Sequence, residues 1–147
     1  MKDRRLWLLL AAALAVRLVL MPLPDPYEAD LSTFWRPWMA FAAQNGLAQL
    51  YLHGEPAVNY PPFYLALLAG LGSIYRLVVP DFAYTPLQSI LIKLPGVVAD
   101  LGVTVLIYYA AQLTVAEGQK KTLPLAAAAL WAFNPAIIYV SAYWGQV

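Results

Sequence analysis

The sequence predicts an all-α integral membrane protein. It has about three transmembrane helices, with amphipathic and hydrophobic surface helices in the first extracytoplasmic loop. Three observations predict this. The chain is 62% hydrophobic and 12% charged, about half the charge of an ordinary soluble domain, and its mean hydropathy is +0.62. Its apolar runs are long and its polar breaks short. Twelve prolines and ten tyrosines suit the helix ends and interfacial belts of a bilayer protein. The net charge of +1 gives no basic field for nucleic acid, and the absence of cysteine excludes disulfides and thiolate metal sites. At 147 residues the chain holds three or four spans of about 20 residues.

The first helix is expected over 6–23. Lys2, Arg4 and Arg5 precede it, and the positive-inside rule places that end in the cytoplasm. A cleaved signal peptide is the rival, but the apolar run continues past Arg17 to Leu23, longer than a usual signal core. Residues 24–60 form an outer loop, in which "DPYEADLSTFWRPW" sets Asp25, Glu28 and Asp30 against Phe34, Trp35 and Trp38. Within it, Leu31, Phe34, Trp35, Trp38, Met39 and Ala42 recur at helical spacing. They predict an amphipathic helix over 31–45, started by Asp30 or Ser32, kinked by Pro37 and ended by Gly46. It is too short to span and is expected to lie along the membrane with its apolar face down, Trp35 and Trp38 serving as interfacial anchors.

The next apolar run, 61–79, opens on tandem prolines that suit a first turn. If it spans, the loop with Lys120 and Lys121 falls outside, against the positive-inside rule. If it lies at the outer surface or re-enters, those lysines fall inside. The three-span arrangement is therefore preferred over four. Helix 87–113 then runs inward, 114–122 is a cytoplasmic loop, and helix 123–143, interrupted by "NP" at 134–135, runs outward. The "YPP" at 60–62, Lys93 and the terminal "YWGQV" then share the outer side with the acidic loop. That terminus has no polar tail, so the chain is expected to be the N-terminal part of a longer protein.

Three charges inside apolar runs need partners or a wet cavity, since each costs about 2.5–3.5 kcal/mol at a helix centre. They are Arg17, Lys93 and Asp100. Lys93 and Asp100 are seven apart and share a helix face, about 10 Å apart along the axis, too far to pair with each other. Lys93 could bind a phosphate or snorkel; Asp100 could line the same polar cavity or make an interhelical hydrogen bond. Asp30 could be a helix N-cap or a general base on a hydroxyl substrate. Glu28 and Asp25 read more simply as a solvated face. The lone histidine, His53, excludes a histidine-based metal site. The three carboxylates at 25–30 could bind a divalent cation, though nothing in their spacing compels it.

Taken in order, these motifs resemble the membrane glycosyltransferases of the GT-C class. That class includes the lipid-linked glucosyltransferases of N-glycan assembly and their bacterial relatives. The resemblance is carried by Asp30 before "TFWRPW", by "LYLHGEPAVNYPPFYLALL", by "KLPGVVADLGVTVLIYY" opening on Lys93, and by "WAFNPAIIYVSAYWGQV". Where eukaryotic members carry an Asp before "YPP", this chain has Asn59. The resemblance implies an inverting hexosyltransferase. The donor would be a sugar on a polyprenyl phosphate, and the acceptor a hydroxyl on a glycan, lipid or protein. The reaction would take place at the extracytoplasmic face, without nucleotide, cofactor or metal. Asp30 would take the acceptor proton, and Lys93, with Arg17, would bind the donor phosphate. Glu28, Asn59, Tyr60, Asp100, Trp144 and Gln146 would line the substrate cavity. The alternative is a non-catalytic membrane scaffold or transporter subunit, in which the acids and aromatics form a surface belt and Lys93 and Asp100 hold helices together.

Overall fold

The computed structural model describes residues 3–24, 30–119 and 122–145. Among these the fold is all-helical. Helix α1 (Arg4–Leu20) begins at Asp3, whose carboxylate caps the Arg5 amide. It stops short of the expected Leu23 because Pro22 and Pro24 follow, and neither can donate to the helical ladder.

The amphipathic segment is helical as expected, but Pro37 does not simply kink it. Residues Asp30–Trp35 are π-helical and pass into α2 (Arg36–Asn45) with Pro37 in its first turn. A proline has no N–H for the carbonyl four residues back and crowds it. The wider π register just upstream opens the helix at that point. Gly46, at φ +87°, ends α2 as predicted and leads into a short α3 (Leu47–His53) that the sequence did not suggest.

The apolar stripe of this segment does not face a membrane. Leu31, Trp35, Trp38, Met39 and Ala42 are buried in the protein, with Trp35 and Trp38 at 2% and 0% exposure. Their reading as interfacial anchors is corrected accordingly. The partner is α4 (Pro62–Val78), which carries a matching stripe of Leu65, Leu68, Gly72 and Tyr75. Gly72 permits the close approach: a Cβ there would lie 2.8 Å from the Met39 carbonyl oxygen and 2.9 Å from the Ala43 Cβ.

Helix α5 (Pro86–Thr114) has 29 residues and a mean hydropathy of 2.0 over its most apolar stretch, long and apolar enough to cross a membrane. Helices α6 (Leu123–Ala132) and α7 (Pro135–Ile138), the latter continuing as a π-helical stretch Tyr139–Trp144, form a bent pair at 43° that together could also cross. The bend lies at the predicted "NP". The Asn134 side chain caps the Ala136 amide and Pro135 opens the new helix.

Helices α1, α5 and α6 lie side by side, α1 antiparallel to α5. Leu6 packs with Tyr108 and Ala128 at one end, and Met21 with Val97 and Ala142 at the other. The start of α1 therefore shares an end with the last turns of α5 and the start of α6. The end of α1 shares the opposite one with the first turns of α5 and the Tyr139–Trp144 stretch. Helix α4 joins α5 near that second end, where the Tyr64 hydroxyl donates to the Ile92 carbonyl at 3.0 Å.

Candidate functional site

The second end gathers most of the residues singled out from the sequence. Asp30 sits at the start of the π-helical segment and accepts a 2.8 Å hydrogen bond on Oδ2 from the Trp144 indole. These two residues come from opposite ends of the chain. Trp144 closes its π-helical stretch, and Gly145 follows in a left-handed conformation at φ +81°. The side chain of Lys93 runs against Gly145, where an added Cβ would lie 3.0 Å from Lys93 Cγ. Lys93 is wholly buried, so it does not snorkel, and its ammonium donates to the Leu23 carbonyl at 3.2 Å. One turn, Trp144–Gly145, thus touches both the carboxylate and the lysine.

Beside Asp30 lies a cavity of about 190 Å³ lined by Phe34, Trp35, Asn59, Tyr60 and Asp30 itself. Asn59 and Tyr60, which the resemblance put in one cavity with Asp30, line this cavity with it. The aromatic wall is interlocked: Trp35 meets Tyr60 and Tyr64 edge-on at 4.7 and 4.9 Å between centroids, and Trp38 meets Trp35 at 5.4 Å. The Trp38 indole donates to the Pro56 carbonyl at 2.7 Å, tying the segment before "YPP" to α2. The buried Trp35 indole N–H makes no hydrogen bond. Such a mouth offers a hydroxylated ligand an acceptor at Asp30, an amide at Asn59 and flat apolar walls.

Arg17 and Asp100 belong elsewhere. They pair with each other at 3.5 Å, one helix face and two turns further along α5 than Lys93. Arg17 is wholly buried. Its Nη1 donates to the Ala13 carbonyl at 3.2 Å and to the Ala132 carbonyl at 2.9 Å. The Ala132 carbonyl is left over by the break, because the amide of Ala136 that would have bonded it is taken by the Asn134 side chain. Arg17 thus places a cation at the C-terminal end of α6, the favourable end of its dipole. The contact with Asp100 is ionic rather than a well-aligned hydrogen bond. Arg17 Nε and Nη2 and Asp100 Oδ2 are buried with no hydrogen-bond partner. Glu28 and Gln146, also expected in the cavity, lie outside the described residues, as does Asp25.

Arg36 was not singled out. Its guanidinium stacks 3.9 Å over the Tyr84 ring, and Nη2 reaches the Ser89 hydroxyl at 3.4 Å, one turn before Lys93. Its isolation as a cation in an acidic loop was the available signal. Among the described residues no group of three or more His, Asp or Glu side chains is placed to hold a metal ion. Comparison with protein-family models, with curated proteins and with solved structures finds no match for the chain.

Proposed function

We propose that the chain is a GT-C-type membrane glycosyltransferase that moves a sugar from a polyprenyl-phosphate donor to a hydroxyl acceptor at the extracytoplasmic face. The observation that carries this reading is the shared turn: Trp144 holds the Asp30 carboxylate while Gly145 packs on Lys93. A base at a cavity and a cation held by the same turn are what such a transfer needs. Lys93 is buried behind that turn and does not line the cavity, so in this reading the turn must open the ammonium to the phosphate. The Asp30 carboxylate accepts the proton of the acceptor hydroxyl, whose oxygen attacks the anomeric carbon from the face opposite the phosphate. The bond from that carbon to the phosphate oxygen breaks, and its electron pair leaves on the phosphate. The Lys93 ammonium stabilises the charge that develops there. The contacts of Arg17 suit it to holding the break between α6 and α7 rather than the phosphate.

In this reading α1, α5 and the bent α6–α7 pair are the three spans, with the N-terminus cytoplasmic. At about 1.5 Å per residue α5 is roughly 43 Å long, against a hydrocarbon thickness of about 30 Å. Its first turns therefore stand clear of the bilayer, and α2 and α4 pack around them at the outer surface.

The test uses membranes carrying the full chain, a polyprenyl-phosphate hexose and a lipid-linked acceptor. Asp30→Asn should lower transfer about 10²–10⁴-fold, the usual contribution of a general base, with membrane insertion unchanged. Normal turnover in that variant would remove the base. Lys93→Ala should raise the donor KM, and an unchanged donor saturation curve would remove the phosphate role.

A further inference from the structure

Toward the start of α1, away from the Asp30 mouth, α1 and α5 leave a groove of about 450 Å³ between them. Its walls are Trp7, Ala11 and Leu14 from α1 and Leu101, Gly102 and Val105 from α5. The two small residues make it. A Cβ at Gly102 would meet nothing within 4 Å, so that glycine borders open space rather than a close helix contact. Arg4, Trp7, Ala11 and Leu14 follow one helical stripe, so Arg4 sits one turn beyond the groove's end. Arg4 and Arg5 are exposed, and the described residues give neither an ion pair. Asp3, the acid beside them, is engaged by the Tyr108 hydroxyl and the Arg5 amide. Trp7 and Tyr109 are 61% and 58% exposed at the same end, the amphipathic rings found at headgroup level.

We propose that this groove seats one acyl chain of an anionic phospholipid from the leaflet around the start of α1, with the phosphate held by Arg4 and Arg5. The apolar channel selects a hydrocarbon chain, and the two exposed arginines at that end, outnumbering Asp3, select a negative headgroup. This inference rests on the membrane placement proposed above and is independent of the transferase chemistry.

The full chain is reconstituted in nanodiscs of equal phosphatidylglycerol and phosphatidylcholine, with a trace of phosphatidylglycerol bearing a photoreactive acyl chain. Lipid retained after mild detergent extraction is quantified by mass spectrometry, and crosslinked peptides are mapped. The wild-type chain should retain phosphatidylglycerol preferentially and crosslink within 7–14 and 101–105. Arg4→Gln and Arg5→Gln should each lower the phosphatidylglycerol preference about fivefold while keeping those crosslinks. Gly102→Leu fills the channel from open space and should abolish them. Ala11→Leu, filling it from the other wall, should do the same. Equal retention of the two lipids by the wild-type chain, or crosslinks that survive both filling variants, overturns the proposal. A chain that alkaline carbonate strips from membranes overturns the membrane placement as well. Insertion without lipid preference overturns the groove's occupant alone.

Discussion

Gly145 meets two demands at one position. Its left-handed backbone costs a side-chain-bearing residue about 1–2 kcal/mol, and the Lys93 stem lies where a methyl group would go. Gly145→Ala is therefore expected to lower stability by at least about 1 kcal/mol and to displace Lys93. Detergent-solubilised thermal unfolding and the donor KM measure the two effects separately. Trp144→Phe keeps the ring but removes the 2.8 Å donor to Asp30. A hydrogen bond to a charged group contributes about 1.5–3 kcal/mol, so transfer should fall tenfold or more with the fold intact; an unchanged kcat would separate Trp144 from the chemistry. Lys93 was legible as a single residue because a charge inside an apolar run is rare, and Asp30 because it stands at a helix start; Asn59 and Tyr60 were named only through the resemblance at "NYPP". The pairing of Arg17 with Asp100 was not legible. A helical repeat shows which face of α5 carries Asp100, but not which distant helix brings the cation.

At the scale of elements, the crossing of α2 and α4 is set by Gly72. Gly72→Leu must push against the Met39 backbone and should destabilise this pair by about 1–3 kcal/mol, as overpacking does. Hydrogen exchange would show the loss in 36–45 and 62–78, with α5–α6 unaffected. The periodicity showed the stripe of α2, while 61–79 read only as an apolar run whose buried face was not predicted. It could not say that the two helices face each other, because a stripe buried against protein and one buried against lipid have the same pattern. The other end of the molecule carries a pH-sensitive clasp. The Tyr108 hydroxyl at 2.6 Å, and then the Arg5 amide, hold the Asp3 carboxyl below its ordinary pKa. A carboxylate lowered in the folded state stabilises fully above its unfolded value, about pH 4, and the contribution is lost as pH falls through the folded value. Asp3→Asn should therefore flatten the acid limb of the stability profile below about pH 4 and leave its slope at neutral pH unchanged.

For the whole molecule, the antiparallel packing of α1 on α5 puts Asp3 and Tyr108 at one end and Leu23 and Lys93 at the other. On the topology proposed above, a cysteine replacing Glu117 should react with an impermeant maleimide from the cytoplasmic side, together with one placed at Arg4. Labelling of position 117 from the outside would reverse the direction of α5 and remove Lys93 from the outer face. The overall helical character and the broken last run were legible because length, hydropathy and "NP" are local signals. How α4 folds back on the first turns of α5 was not, since that depends on contacts between segments. The buried ion pair also bears on how the chain is made. Arg17 leaves the ribosome well before Asp100, and before the Ala132 carbonyl that it caps. During synthesis the first helix therefore waits with an arginine that has neither of its mates, and, if α1 spans as proposed above, chains halted before α5 should release that helix from the membrane more readily than complete ones. The first helix to emerge thus completes its contacts only when α5 and α6 have followed it.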